Sequence, residues 1–187
     1  MAHSPGCRIC DRDSTSSQPL VSILDLGLTP LANRLLRAEE LDQPEPRFPL
    51  ELVFCPQCSL LQITETVPPE ILFRDYVYFS SYSDTMLRHA ESSAQQLIRS
   101  RKLGSESLVI EAASNDGYLL QFFQRARIPV LGIEPAVNVA EVARQKGIDT
   151  LTEFFNLDLA RRLYQTGQSA DVFLANNVLA HVADLHG

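Results

Sequence analysis

The only four cysteines of the chain stand in two C-x-x-C pairs. They are Cys7 and Cys10 in C-R-I-C, and Cys55 and Cys58 in C-P-Q-C. Two such knuckles can bring four thiolates together in the tetrahedral arrangement that zinc prefers. The 44 residues between Cys10 and Cys55 exceed the spacer of a compact zinc ribbon, so the knuckles must clasp a subdomain rather than one hairpin. We therefore predict one structural zinc site, and iron would also fit four thiolates.

Two other uses of the cysteines agree less well with the sequence. Disulfides need an oxidising compartment, and residues 1–6 lack the basic and apolar segments of a secretory signal peptide. A redox C-x-x-C motif would explain one pair and not two. The pattern thus favours structural zinc and a cytoplasmic location.

The segment Val109–Pro135 reads as strand, turn, helix and second strand. The apolar runs Leu108–Ile110 and Val130–Ile133 are the strands, and an amphipathic helix joins them. This unit has the length of a parallel nucleotide-binding crossover. Glu134 follows the second strand, 23 positions after Glu111, where a carboxylate in such folds accepts hydrogen bonds from a ribose. The spacing predicts an adenosine-containing ligand.

The turn before the helix discriminates between such ligands. Its polar side chains belong to Glu111, Ser114, Asn115 and Asp116, and its only glycine is Gly117. A dinucleotide site needs glycines that let the backbone approach a pyrophosphate, and the G-x-G-x-x-G pattern is absent. Carboxylates would repel a diphosphate but suit the ammonium and sulfonium of S-adenosylmethionine. The plainer alternative is a strand–turn–helix with a polar N-cap at Asn115 or Asp116.

The remaining pattern divides the chain into three parts. We expect a zinc-binding domain over residues 1–70, a linker and a packing helix over 71–104, and a cofactor-binding domain over 105–187. The fold class is α/β: a four-cysteine zinc-binding subdomain followed by a partial Rossmann-like, doubly wound parallel sheet. The other predicted elements are strands at Val21–Leu26, Leu50–Phe54, Ile148–Leu151 and Asp171–Ala175, helices at Asp84–Ser100, Ala136–Lys146 and Leu157–Tyr164, a turn at Gly27–Asn33 and a loop at Leu41–Pro49.

The predicted fourth parallel strand ends close to the end of the sequence. Asn176 and Asn177 follow it, at the edge where ligands bind in open parallel sheets. Four strands would leave an edge that further strands normally cover. We therefore expect the sequence to be the N-terminal part of a longer protein.

Composition argues against two classes of partner. The 187 residues are 45% hydrophobic and 21% charged, as in a globular protein. No apolar run approaches the ~18 residues of a membrane span. The net charge is −7, and the 16 lysines and arginines are dispersed, which argues against nucleic acid. We expect a small-molecule substrate, with no indication of oligomeric state.

Several segments, in order along the chain, resemble the zinc-containing sugar C-methyltransferases of bacterial deoxysugar pathways. The segments are C-x-x-C…LDLGLTPLAN…C-P-x-C, YVYFSSYS, VIEAASNDGYLL, GIEP, TEFF and NNVLAHV. The resemblance covers essentially the whole chain but only about half of the family's length. It implies a class I S-adenosylmethionine-dependent enzyme. Such an enzyme would methylate C-3 of a nucleotide-linked 4-keto-deoxysugar through an enolate.

The resemblance also assigns residues to the cofactor. Glu134 would take the ribose hydroxyls, Pro135 would fix the chain beyond it, and Ala113 stands where many methyltransferases have glycine. Phe154 and Phe155 would flank the adenine, or else pack in the core. The cofactor-binding candidates are Tyr78, Ser83, Glu111, Ala113, Ser114, Asn115, Asp116, Gly117, Glu134, Pro135, Phe155, Asn176 and Asn177.

Tyr76 and His181 are the catalytic candidates that the resemblance implies. Tyr76, Tyr78 and Ser83 lie in a linker that folds over the methyl-transfer site in this family, although the two tyrosines would also serve simply to join the domains. His181 follows the fourth strand, where a histidine can act as an acid or base, or polarise a ketone. Other residues close to the chemistry lie beyond the fourth strand in this family. We therefore expect the chain alone to bind zinc and cofactor without methylating.

Two other classes of function stay open at this stage. One is a non-catalytic, zinc-clasped binding module that docks a partner. The other is a nucleotide-sugar or NAD-dependent oxidoreductase, against which the absent G-x-G-x-x-G pattern counts.

Overall fold

A computed structural model describes residues 6–10, 18–74, 76–182 and 184–185. The chain divides into two compact units. The first contains residues 1–72 together with 183–186, and the second contains residues 73–182. Each unit has its own sheet.

The first unit is built on a three-stranded antiparallel sheet. Its strands are β1 (Val21–Pro30), β2 (Arg47–Phe54) and β3 (Leu61–Ile63), in the order β1-β2-β3. A 3-10 turn at Ala38–Glu40 lies between β1 and β2, and the short helix α1 (Pro69–Phe73) follows the sheet. β2 is the central strand, and Cys55, the first cysteine of the second knuckle, follows its last residue directly.

The predicted turn at Gly27–Asn33 begins too early, because β1 continues through Gly27 to Pro30 and the turn is confined to Ala32 and Asn33. Gly27 has φ of +69°, and its N–H donates to Asp25 Oδ1 at 2.8 Å. The pairing with β2 shifts register between Asp25 and Leu28. The glycine therefore forms a bulge inside a strand rather than a chain reversal.

The predicted loop at Leu41–Pro49 is also too long at its end. β2 begins at Arg47, where it pairs with Pro30. Pro49 fits inside the strand opposite Leu28. A proline in a sequence argues against a paired strand, which is why the prediction ended the loop at Pro49. In the structure, the extended β1 pairs with β2 from Arg47 onward.

The second unit is a parallel sheet of four strands with helices on both faces. Its order is β6-β5-β4-β7. Its elements are α2 (Asp84–Arg101), β4 (Val109–Ala112), α3 (Leu120–Arg125), β5 (Val130–Ile133), α4 (Val137–Gln145), β6 (Thr150–Leu151), α5 (Leu157–Gln165) and β7 (Val172–Leu174), with 3-10 turns at Ser80–Tyr82 and Leu179–His181. The predicted doubly wound α/β class is confirmed.

Two hydrophobic clusters cover the two faces of this sheet. On one face, Val109 packs with Ala90 and Ala94 of α2 and with Leu120 and Phe123 of α3. On the other face, buried side chains of β4, β5 and α5 pack together; they are Ile110, Leu131, Ile133, Leu159 and Leu163. Alternation along β4 sends successive side chains to opposite faces. The sheet is thus fixed from both sides, and its carboxyl edge is held in place.

No helix in the described part of the chain is long and apolar enough to cross a bilayer.

Candidate functional site

The four cysteines converge, as their spacing predicts. The sulfur of Cys7 lies 3.5 Å from that of Cys58, and the sulfur of Cys10 lies 4.0 Å from that of Cys55. All four sulfurs lie within 4.8 Å of one another. A tetrahedral zinc with Zn–S bonds of ~2.3 Å holds its sulfurs ~3.8 Å apart. The arrangement therefore fits one zinc ion without rearrangement of the chain.

The second knuckle is a tight turn closed by backbone hydrogen bonds. Ser59 N–H donates to Cys55 O at 2.9 Å, and Cys55 N–H donates to Leu60 O at 2.9 Å. The N–H of Cys58 hydrogen-bonds the Cys55 sulfur and lowers the pKa of that thiol to about 7. At Cys55 this favours the thiolate form that binds metal, whereas hydrogen bonding with Cys58 and burial raise the pKa of Cys10 to about 12.

Gln62 holds the first knuckle and was not among the residues predicted from the sequence. Its side chain is buried. Its Oε1 accepts from Arg8 N–H at 2.9 Å, and its Nε2 donates to Gly6 O at 3.1 Å. The one available signal is its position between two apolar residues in the short strand β3.

The turn after β4 has an unusual backbone. Ala113, Asn115 and Gly117 all have positive φ, of 53°, 52° and 76°. A Cβ at Gly117 would collide with the δ-methyl of Ile148, so this position requires glycine twice over. The positive φ of Ala113 is a conformation that glycine adopts more readily than alanine.

Glu134 is buried between this turn and the chain that follows β5. Its Oε2 accepts from Asn115 N–H at 2.9 Å, and its Oε1 accepts from Ala136 N–H at 2.9 Å. Burial raises the pKa of Glu134, and these two backbone hydrogen bonds act in the opposite direction. A carboxylate oxygen has two lone pairs, so each oxygen can still accept one hydroxyl.

Glu111 is fully buried. Burial raises its pKa to about 8, with the hydrogen bond from Asn176 opposing and the charge of Glu134 reinforcing the shift. Its Oε1 lies 3.4 Å from Asn176 Nδ2. Because β4 and β7 are neighbours while β5 and β6 lie on the other side of β4, this contact spans the switch point of the sheet, where ligands bind.

Three buried oxygens around this turn have no hydrogen-bond partner among the described residues. They are Glu111 Oε2, Ser114 Oγ and Asp116 Oδ1. A buried polar atom without a partner costs roughly 1–3 kcal/mol. A ligand that brings hydrogen-bond donors, such as an ammonium group, would satisfy them.

A tyrosine strap, defined here as residues 76–81, is hydrogen-bonded to the same turn. Asn115 Oδ1 accepts from Ser80 N–H at 2.8 Å, and its Nδ2 donates to Tyr78 O at 3.0 Å. Asp116 Oδ2 accepts from Ser81 N–H at 3.3 Å. The strap therefore lies at the carboxyl end of β4, as its candidate tyrosines require.

The structure brings the two catalytic candidates towards one ring. The centroid of the Phe73 ring lies 6.0 Å from that of Tyr76 and 6.3 Å from that of His181, edge-on in both cases. Tyr76 is half-buried, and His181 is exposed.

Other cofactor candidates have local contacts of their own. Ser83 caps α2, its Oγ accepting from Met86 N–H at 3.2 Å. The rings of Phe155 and Phe173 lie 4.8 Å apart, and the guanidinium of Arg74 lies 5.4 Å above the Phe154 ring. Among the remaining candidates, Tyr78, Asn176 and Asn177 are exposed, and Pro135 is half-buried.

The sequence reasoning missed Tyr118 and Lys146. Tyr118 follows Gly117 directly, and burial together with the charge of Glu111 raises its pKa to about 12. Lys146 Nζ donates to Asp116 O at 2.9 Å and forms an ion pair with Asp116 Oδ2 at 3.1 Å. A tyrosine next to the turn was a visible signal, whereas the lysine reaches the turn only through the packing of α4.

Comparison with known proteins adds three findings. Residues 7–73 match the family model Methyltransf_13, described as "Putative zinc binding domain". The chain is 29% identical over 180 residues to C-methyltransferase NovU of Streptomyces niveus. The alignment covers 96% of this chain and 42% of NovU. The chain thus spans less than half the length of that relative.

A solved structure of a methyltransferase aligns less closely. Magnesium protoporphyrin IX methyltransferase (ChlM) from Synechocystis PCC 6803, with bound SAM, is 21% identical, with 51% of this chain and 46% of that chain covered and a TM-score of 0.39. A likeness of this size carries no functional argument. The zinc-binding match and the NovU similarity agree with the resemblance predicted from the sequence motifs.

Proposed function

We propose that this chain, a relative of the zinc-containing sugar C-methyltransferases, binds S-adenosylmethionine at the carboxyl edge of its parallel sheet and serves the C-methylation of a small molecule. The observation that carries the proposal is the group of unpartnered, buried oxygens around the turn after β4. They lie beside Glu134, which has lone pairs left for ribose hydroxyls. Two carboxyl groups and a hydroxyl beside Glu134 suit a ligand that carries an ammonium group, and they disfavour a diphosphate.

Each acid has a separate task in this proposal. Glu134 accepts hydrogen bonds from the ribose and holds Asn115 in its left-handed conformation. Glu111 is protonated at neutral pH, because its pKa is raised to about 8. It gives up that proton when an ammonium group takes its place as the partner of Oε2. When bound, S-adenosylmethionine supplies an electrophilic methyl group.

The acceptor would be a nucleotide-linked 4-keto-deoxysugar, methylated at C-3. This rests on the motif resemblance and on the carbon methylation in the name of the NovU relative. Tyr76 and His181 would approach such a substrate from the side of Phe73, which contacts both rings. His181 would remove the C-3 proton or polarise the ketone. The chain spans 42% of the length of NovU, so the reaction of that whole relative is carried over here as a proposal only.

The zinc has a structural task. Four thiolates fill the tetrahedral coordination of zinc and leave no open position for substrate or water. The metal would therefore stabilise the first unit and take no part in methyl transfer.

Isothermal titration calorimetry with S-adenosylhomocysteine and with NAD⁺ tests the cofactor. We expect binding of S-adenosylhomocysteine and no binding of NAD⁺. Glu134→Gln should weaken the affinity at least about tenfold, because an amide cannot accept from two N–H groups and the ribose together. Glu141→Gln is the matched control on the exposed face of α4. NAD⁺ binding, or an unchanged affinity in the Glu134 variant, would contradict the proposal.

A further inference from the structure

The geometry points to Asn138 as the positioning residue of the tyrosine strap: its side chain fixes the backbone of Tyr76 and so places the Tyr76 ring at the site. This inference rests on the proposed function, because Tyr76 has a catalytic task only if that site transfers a methyl group. Asn138 is not among the catalytic or cofactor-binding candidates predicted from the sequence.

Asn138 uses both ends of its amide on one residue. Its Oδ1 accepts from Tyr76 N–H at 3.2 Å, and its Nδ2 donates to Tyr76 O at 2.8 Å. A side-chain amide that pairs with both backbone groups of one residue imitates a neighbouring β-strand. It fixes the register of that residue as well as its distance.

The location of Asn138 within α4 strengthens the assignment. It is the second residue of the helix, and the N-cap residue, Ala136, makes no side-chain capping hydrogen bond. Instead, the first helical N–H, of Val137, donates to Arg74 O at 3.3 Å. The start of α4 is therefore occupied by the chain leading into the strap, and Asn138 continues the same contact by two bonds.

Hydrophobic packing does not replace these bonds. Val77 and Tyr78 are 51% and 47% exposed, so much of their apolar surface stays in water and contributes little to holding the strap. Ser80 and Ser81 bond to Asn115 and Asp116, and Lys146 Nζ donates to Ser81 Oγ at 2.9 Å. Those contacts hold the far end of the strap, while Asn138 holds the end that carries Tyr76.

The contact also bears on Phe73. Its ring centroid lies 6.0 Å from that of Tyr76 and 6.3 Å from that of His181. Releasing Tyr76 from Asn138 would therefore alter one of these two ring contacts.

The test places 3-fluorotyrosine at position 76 of the zinc-loaded chain and compares the unaltered sequence, Asn138→Ala and Glu141→Ala. Glu141 is exposed on the same helix. We expect Asn138→Ala to shift the ¹⁹F resonance towards its unfolded position. Hydrogen exchange at the Tyr76 amide, whose N–H donates to Asn138 Oδ1, should rise at least about tenfold when that hydrogen bond is lost. Exchange in β4 and β5 should stay unchanged, and Glu141→Ala should change neither readout.

A second variant keeps the test decisive if Asn138→Ala folds poorly. Asn138→Asp retains the acceptor for Tyr76 N–H and loses the donor to Tyr76 O, so it should give a smaller change in the same direction. An unchanged resonance and unchanged strap exchange in both variants would overturn the inference. So would a rise in exchange throughout the second unit, which would mark Asn138 as a general structural residue.

Titration of S-adenosylhomocysteine into the same proteins separates the two proposals. Absence of binding by the unaltered chain contradicts the proposed function. The fluorine resonance and the hydrogen exchange then still test whether Asn138 holds the backbone of Tyr76. With binding present, Asn138→Ala should weaken it by less than Glu134→Gln does, because Asn138 contacts the strap and not the ligand. An equal or larger loss would make Asn138 a ligand contact and overturn the inference.

Discussion

At the scale of single residues, the buried carboxyl group of Glu111 dominates the chemistry of the site. It is fully buried with one oxygen lacking a described partner, and burial raises its pKa to about 8 from 4.5. The folded chain therefore holds a proton that the unfolded chain releases as pH rises above 4.5. Between those two values the free energy of unfolding must fall with increasing pH.

Glu111→Gln should remove this fall. Relative to the original chain, we expect the variant to gain up to about 1.4 kcal/mol of stability per pH unit through this window, and nothing below it. Urea unfolding at pH 5, 6.5 and 8 measures the difference. Glu141→Gln, on an exposed carboxylate, serves as control. A stability difference that is the same at all three pH values would show that Glu111 is not protonated in the fold.

The ligand should respond to the same proton. If an ammonium group pairs with Glu111, affinity for S-adenosylhomocysteine should rise with pH up to about pH 8, with close to one proton released per ligand below that pH. Calorimetry in buffers of different ionisation enthalpy counts the protons. Binding without proton release at pH 6.5 would place the ammonium elsewhere.

Two glycines with the same backbone conformation separate packing from backbone strain. Gly117 and Gly167 have φ of +76° and +78°, but only a Cβ at Gly117 would meet other atoms within 4 Å. Gly167→Ala should cost about 1 kcal/mol from its positive φ. Gly117→Ala should cost a further 1–3 kcal/mol or so from the collision with Ile148. Thermal unfolding measures both, and equal losses would contradict the packing around the turn.

The sequence predicted contacts between individual residues only where the spacing of those residues determines the contact. Cys7, Cys10, Cys55 and Cys58 met as predicted because two knuckles leave four thiolates few other arrangements. The hydrogen bonds of Glu134 could not be predicted, since they depend on the left-handed conformation of Asn115. Asn138 and Lys146 reach the strap and the turn only after α4 has packed on the sheet.

At the scale of elements, the first unit combines long strands with little core. Among its described residues, the buried ones are Cys7, Val53, Cys55 and Gln62. Along β1, the side chains of Val21, Ile23 and Leu28 are 47%, 55% and 61% exposed. So small a core cannot stabilise a domain of this size alone, and the metal must supply the remainder.

Removal of zinc should therefore unfold the first sheet. A strong chelator should raise amide exchange in β1, β2 and β3 at least about a hundredfold, because structural zinc contributes on the order of 10 kcal/mol to such folds. Exchange in β4 and β5, each enclosed between hydrophobic clusters, is the internal control. Protection of β1–β3 that persists in the metal-free chain would show that the hydrophobic residues suffice.

The predicted bounds of the strands agree best with the structure where both faces of the strand are buried. The runs around β4 and β5 are continuous and apolar because helices cover both faces. β1 was cut short at Gly27 because a bulge glycine and a turn glycine look alike in sequence. β3, three residues long, is too short for any period to show.

At the scale of the whole molecule, the chain consists of two compact units, each with its own sheet. Residues 7–73 match a zinc-binding family model, and the second unit has the doubly wound sheet that positions Glu111, Glu134 and the strap. The fold class and the metal site were accessible from the sequence. The identity of the methyl acceptor could not be predicted from spacing or periodicity. Only the resemblance to a family suggested which residues would recognise it.

Native mass spectrometry with and without S-adenosylhomocysteine tests the central claim most directly. We predict one zinc per chain in both spectra and one S-adenosylhomocysteine per chain when the ligand is added, lost in Glu134→Gln and retained in Glu141→Gln. A chain that carries zinc but takes up no S-adenosylhomocysteine, or that takes up NAD⁺ in its place, would contradict the assignment of this site.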